Sequence, residues 1–98
     1  MEVMVFEPGK QGELRDIGVS LEAWQALVGG YIEQVSFGGG LIAICNEEGK
    51  LRNLPPNRWG FVGTIFLARQ EADDLVSLTA LDKRRIEQMV RENRRLVL

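Results

Sequence analysis

Arg52, Asn57, Arg58 and Trp59 are the residues of this chain whose types and spacing best suit chemistry with a ligand. They stand close together in K-L-R-N-L-P-P-N-R-W-G, residues 50–60. A guanidinium is a planar fork of donors that fits phosphate oxygens. An Asn amide can read a base or ribose edge, and a Trp or Tyr ring can stack on a purine, worth about 1–3 kcal/mol per base. Tyr31 is a second aromatic candidate. The Gly38-Gly39-Gly40 turn, centred on Gly39, would let backbone N–H groups approach an anion closely. These six positions (Arg52, Asn57, Arg58, Trp59, Tyr31 and Gly39) make up the expected ligand site. Its ligand class is a phosphate-bearing, nucleotide-like small molecule. The competing reading is structural: Trp59 in the core, Arg58 on the surface, and the glycines serving only a tight hairpin.

Reaction chemistry has less to work with. The chain has no His and one Cys, Cys45. Ser20, Ser36 and Ser77 have no obvious basic partner for nucleophilic attack. The Gly-Gly and Gly-Gly-Gly runs lack the P-loop Lys-Ser/Thr and the dinucleotide fingerprint spacing. Glu47-Glu48 and Asp73-Asp74 are neighbouring acids, and a hard cation wants more convergent oxygens than two neighbours supply. The expectation is a protein that is not an enzyme and holds neither a metal nor a cofactor.

The elements that would position the site follow from patterning. Residues 3–6 are apolar on both faces, as in a central strand covered on two sides. Glu7-Pro8-Gly9-Lys10 makes a turn, and residues 13–17 alternate and would pair back as a hairpin. Ser20 caps a short helix over residues 21–28, and Gly29-Gly30 stops it in the left-handed region. A β-meander is expected next, with strands at 31–37, 41–45 and 50–54. Its second turn is Asn46-Glu47-Glu48-Gly49, with Gly49 at positive φ, and Pro55-Pro56 ends it. Residues 64–68 form another apolar strand, 69–74 a charged loop, and 76–78 a last short strand or docking segment. Thr79-x-x-Asp82 reads as a capping box opening a final helix, on which Leu81, Ile86, Met89 and Val90 recur at helical spacing. The fold class is α+β: an antiparallel or mixed sheet of five to six strands, ββαβββ(β)α, with a short helix and a C-terminal helix.

Ninety-eight residues suit a single domain over 1–98, with a sheet-rich body at 1–78 and a basic helix at 79–98. The body carries 6 basic and 11 acidic groups, and the last twenty residues carry 6 basic and 3 acidic ones. The net charge of −2 gives no overall attraction to nucleic acid or anionic membrane. Lys83, Arg84, Arg85, Arg91, Arg94 and Arg95 form a local basic face, read first as solvated and second as able to close over an anion. Cys45 lies in an apolar run and reads as a buried, inert thiol. Neither a secretion signal nor a membrane span is expected, so the expected location is the cytoplasm. The apolar end Leu96-Val97-Leu98 suggests packing back on the sheet or into a second copy, and a homo-oligomer is expected.

The blocks G-G-Y-I-E, N-E-E-G-K-L and L-P-P-N-R, together with V-x-V-x-x-P-G-K and S-L-E-A-x-Q-x-L-V-G-G, resemble a small uncharacterised family. It is a domain of unknown function carried on bacteriophages, plasmids and other mobile elements. The resemblance covers residues 1–67 and transfers no catalytic residues. It implies a small accessory protein acting inside a bacterium. By analogy with other small phage proteins, the expected role is an anti-defence sponge. Such a protein binds and holds a cyclic-nucleotide or ADP-ribose type signal without cleaving it. The alternatives are a protein-interaction module that inhibits a host defence protein directly, with its acids mimicking a phosphate backbone, and a weak nucleic-acid-binding accessory protein.

Overall fold

The computed structural model describes residues 1–36, 38–49, 52–55 and 61–92. Its elements are β1 (Glu2–Phe6), β2 (Glu13–Asp16), α1 (Leu21–Val28), β3 (Ile32–Ser36), β4 (Leu41–Asn46), β5 (Ile65–Glu71), β6 (Asp74–Val76) and α2 (Ala80–Arg91). All strand pairs are antiparallel, in the order β2-β1-β5-β4-β3. The short β6 pairs with the far end of β5. The α+β class and the two helices agree with the sequence pattern.

The period-2 alternation of strand side chains divides the apolar runs between two cores. Met4, Phe6, Leu41, Ala43, Cys45, Ile65 and Leu67 face one way and pack with Ile86 and Met89 of α2. Val3, Val5, Ile42, Ile44, Phe66 and Ala68 face the other way and pack with Val28, Trp24 and Leu27 of α1. A helix on each side explains why β1, β4 and β5 read as unbroken apolar runs rather than alternating ones. Among the described residues no helix is long and apolar enough to cross a membrane.

Both helices begin as their sequences predict. The Ser20 hydroxyl accepts from Ala23 N at 3.1 Å. Thr79 and Asp82 form the full capping box, with Asp82 N donating to Thr79 Oγ1 and Thr79 N donating to Asp82 Oδ2.

Two expectations are corrected. Residues 69–71 are not loop but the end of β5, which turns back through Ala72-Asp73 into β6. Ala72 takes φ 54°, where Gly or Asn is the usual residue, so the tightness of the turn was not marked at that position. The meander also loses its third strand. The place beside β4 is taken by β5, from Leu41↔Arg69 to Ile44↔Phe66. The chain after β4 coils instead, with Arg52 N donating to Glu48 O at 2.9 Å and Leu54 N to Gly49 O at 3.1 Å. Gly49 is not at positive φ. A side chain there would meet Val62, with Cγ2 only 2.6 Å from the Cβ position. Lys50 and Leu51, the first residues of that expected strand, lie outside the described residues.

Candidate functional site

The C-terminus of α1 and the end of β4 are tied into one knot. Helix α1 stops at Gly29, which takes φ 83° and donates to Gln25 O at 2.8 Å. The last helical carbonyls need partners, and two side chains from far along the chain supply them. Asn46 Nδ2 donates to Val28 O at 3.2 Å, and Arg52 Nη1 donates to Gly29 O at 2.5 Å. The guanidinium thereby sits at the negative end of the helix dipole, where a cation is stabilised. Asn46 is buried and uses its other amide atom as well, with Oδ1 accepting from Glu48 N at 2.8 Å. Glu47 N donates to Tyr31 O at 2.9 Å and closes the knot.

Gly30 is required by this approach. A Cβ there would lie 2.9 Å from Asn46 Nδ2 and 3.1 Å from Arg52 Nη1, closer than side-chain carbons pack. The space left open is a depression of about 260 Å3 lined by Gln25, Gly30, Tyr31, Asn46, Glu48 and Arg52. Tyr31 is 68 % exposed, so its ring offers a face to a planar ligand. Glu48 and Arg52 bring opposite charges to the same depression. Among the described residues they form no ion pair with each other.

Of the six expected site residues, the structure brings Tyr31 and Arg52 together. Asn57, Arg58 and Trp59 lie outside the described residues. Gly39 lies elsewhere in the fold. Ile32 pairs with Asn46 at one end of the β3–β4 hairpin, and Ser36 pairs with Ile42 at the other. The Gly38–Gly40 turn is thus a strand's length, roughly 16 Å at about 3.3 Å per residue, from Tyr31. All three glycines take positive φ, and the turn's carbonyls meet cations. Gly39 O accepts from Arg69 Nη2 at 3.0 Å, and Gly38 O accepts from Arg85 Nη1 at 3.1 Å. The turn is pinned to β5 and α2 by two guanidiniums.

The basic face of α2 is likewise partly turned into the body. Lys83 pairs with Glu2, and Arg85 bonds the Gly38 carbonyl. Arg94, Arg95 and the Leu96-Val97-Leu98 end lie outside the described residues. Gln25, Gly30, Asn46 and Glu48 are the site residues that sequence reasoning missed. The usable signal was a lone Asn closing an all-apolar strand, since a buried amide must find partners.

A second concavity, about 510 Å3, runs between the β1–β2 hairpin and the C-terminal half of α2. Its floor includes Met4, Phe6, Leu14, Ile86 and Val90, with Glu87 and Arg91 also along it.

The fold and the knot define a small α+β domain with a twice-covered antiparallel sheet and a depression at one end. The chain belongs to the DUF3846 family, a domain of unknown function, whose model matches residues 1–91. The match runs past the 1–67 of the sequence resemblance and takes in α2. No curated protein and no solved structure matches the chain significantly.

Proposed function

We propose that this is a non-enzymatic binding protein that sequesters a phosphate-bearing, nucleotide-like small molecule in the depression at the end of α1. The observation that carries the reading is the exposed Tyr31 ring sharing one depression with the Arg52 guanidinium. Aromatic stacking plus a charged fork suits a base and a phosphate. The resemblance to proteins of phages and plasmids supports an anti-defence sponge for a cyclic-nucleotide or ADP-ribose type signal in the host cytoplasm. A depression of this size encloses only part of such a ligand. A homo-oligomer in which a second copy supplies more wall is therefore part of the proposal.

The test is gentle purification from cells with active nucleotide-signalling defence, then heat release and mass spectrometry. An intact phosphate-bearing nucleotide at close to one per site is the expected result. A processed product points to an enzyme, and an empty supernatant from cells making the signal overturns sequestration.

A second reading, an interaction module that inhibits a host protein directly, draws on the concavity beside α2 with its apolar floor. Its test is stoichiometric co-purification of one host protein that is lost in Leu14→Glu, a change at an exposed position.

A further inference from the structure

We infer that the depression at the end of α1 reads the sugar of its ligand, and that Glu48 makes it selective for a ribonucleotide over its 2′-deoxy counterpart. The inference rests on the nucleotide reading above and names the ligand class more narrowly.

The backbone bond from Arg52 N to Glu48 O, 2.9 Å long, fixes the two residues one turn apart. Both line the same depression, yet among the described residues their side chains do not pair. Glu48 is exposed, and only its backbone N–H and C=O are used by the knot. Its carboxylate is therefore available for recognition.

An ionised carboxylate is acceptor-only, and it repels phosphate. The part of a ligand that rests on Glu48 must carry hydroxyl or amino donors, while the phosphate goes to Arg52. A nucleotide joins its base and phosphate through a sugar whose donors are hydroxyls. An acidic side chain that bonds a ribose 2′-hydroxyl is the device that dinucleotide-binding folds use to hold that sugar. A ligand without the hydroxyl forfeits that charge-assisted hydrogen bond, a loss of about tenfold in affinity. Gln25 adds an amide that can both donate and accept toward a base edge. The volume sets the count. About 260 Å3 lies below the roughly 300–1,000 Å3 of sites enclosing a whole drug-sized ligand. The depression thus holds one nucleoside unit, and the remainder of a larger signal lies outside it.

The experiment is calorimetric titration of the full chain with 5′-mononucleotides of the four bases, each in ribo and 2′-deoxy form. The expected result is at least one ribonucleotide binding about tenfold or more tighter than its deoxy counterpart. In Glu48→Gln that ratio falls to within about twofold, with the melting temperature unchanged. In Tyr31→Ala both members of the pair weaken equally. Equal binding of ribo and deoxy forms, or a ratio that survives Glu48→Gln, overturns sugar reading while nucleotide binding stands. Absence of all mononucleotide binding also overturns it, and the heat-release assay then decides sequestration separately.

Discussion

Arg69 and Asp82 meet side-on: Nε donates to Oδ2 and Nη2 to Oδ1, each at 2.7 Å. Asp82 is 2 % exposed and is at once the N3 residue of α2's capping box and the anchor of a strand. Since Arg69 also holds Gly39 O, one ion pair joins β5, α2 and the β3–β4 turn. Asp82→Ala removes a charge-assisted pair, worth about 1.5–3 kcal/mol, from the partly exposed Arg69, and loss of the box costs about 1 kcal/mol more. Asp82→Ala is expected to destabilise the protein by about 3 kcal/mol in urea unfolding.

The same contact gives a pH dependence. The Arg69 hydrogen bonds hold the Asp82 carboxyl down to about 2 from its usual 3.8, against the opposing effect of burial and with help from Thr79. A folded value below the unfolded one means that the stabilisation is complete above about pH 4. It is lost as pH falls through about 2, and is worth on the order of 2 kcal/mol. Unfolding free energies measured from pH 5 to pH 2 should fall more steeply for the wild type than for Asp82→Asn.

Tyr31→Ala and Arg52→Ala separate binding from folding. Tyr31 is largely exposed, so its removal should weaken ligand at least tenfold and leave the melting temperature within about 2 °C, as surface changes do. Arg52 also caps the Gly29 carbonyl, so its removal should lower both, the stability by about 1 kcal/mol.

Gly30→Ala tests the knot itself. The added carbon meets Asn46 Nδ2 and Arg52 Nη1, and overpacking of this kind costs about 1–3 kcal/mol. Thermal melting should show the loss, and ligand binding should weaken in parallel because the same two side chains line the depression.

Ala72→Gly is expected to stabilise. Ala72 holds φ 54°, a region costing a residue with a Cβ about 1 kcal/mol or more. The added freedom of glycine when unfolded offsets part of that. A rise in melting temperature of a few degrees is the expected outcome, at about 4–8 °C per kcal/mol for a domain of this size.

Cys45 should be inert in the native state. Burial first, and the Glu33 charge second, push its thiol up to about 11, and its S–H faces Glu33 O. Thiol reagents at pH 8 should label it only at the rate of unfolding, and rapid labelling without denaturant would contradict the packing seen around it.

The parts of the fold written in local chemistry were legible. Ser20 and Thr79-x-x-Asp82 marked two helix starts, and the unbroken apolar run at residues 3–6 marked a strand covered on both faces. Residues 69–71 were misread because Arg69 and Glu71 are polar. A strand end can carry such residues when a helix packed on the sheet supplies a partner like Asp82. At the site, Tyr31 and Arg52 were visible as types. Their meeting was not, since it depends on Asn46 and Arg52 reaching back to the carbonyls of Val28 and Gly29. The setting of Gly39 was not legible either, for a geometric reason. Three successive positive φ angles carry the turn's carbonyls toward Arg69 and Arg85, and residue type alone does not give that direction.

β5 lies between β1 and β4, partners that both precede it in the chain. The two earlier hairpins, β1–β2 and β3–β4, can each form locally within microseconds. Neither can join the other until residues 65–71 arrive to be inserted between them. Without β5 the sheet is two separate hairpins, and each leaves an open backbone edge where β5 pairs. Pairing of this one strand is the most non-local step of the sheet, since it joins residues 65–69 to residues 4–6 and 41–44. Phe66 and Leu67 lie in opposite cores, so the placing of this one strand completes both of them at once.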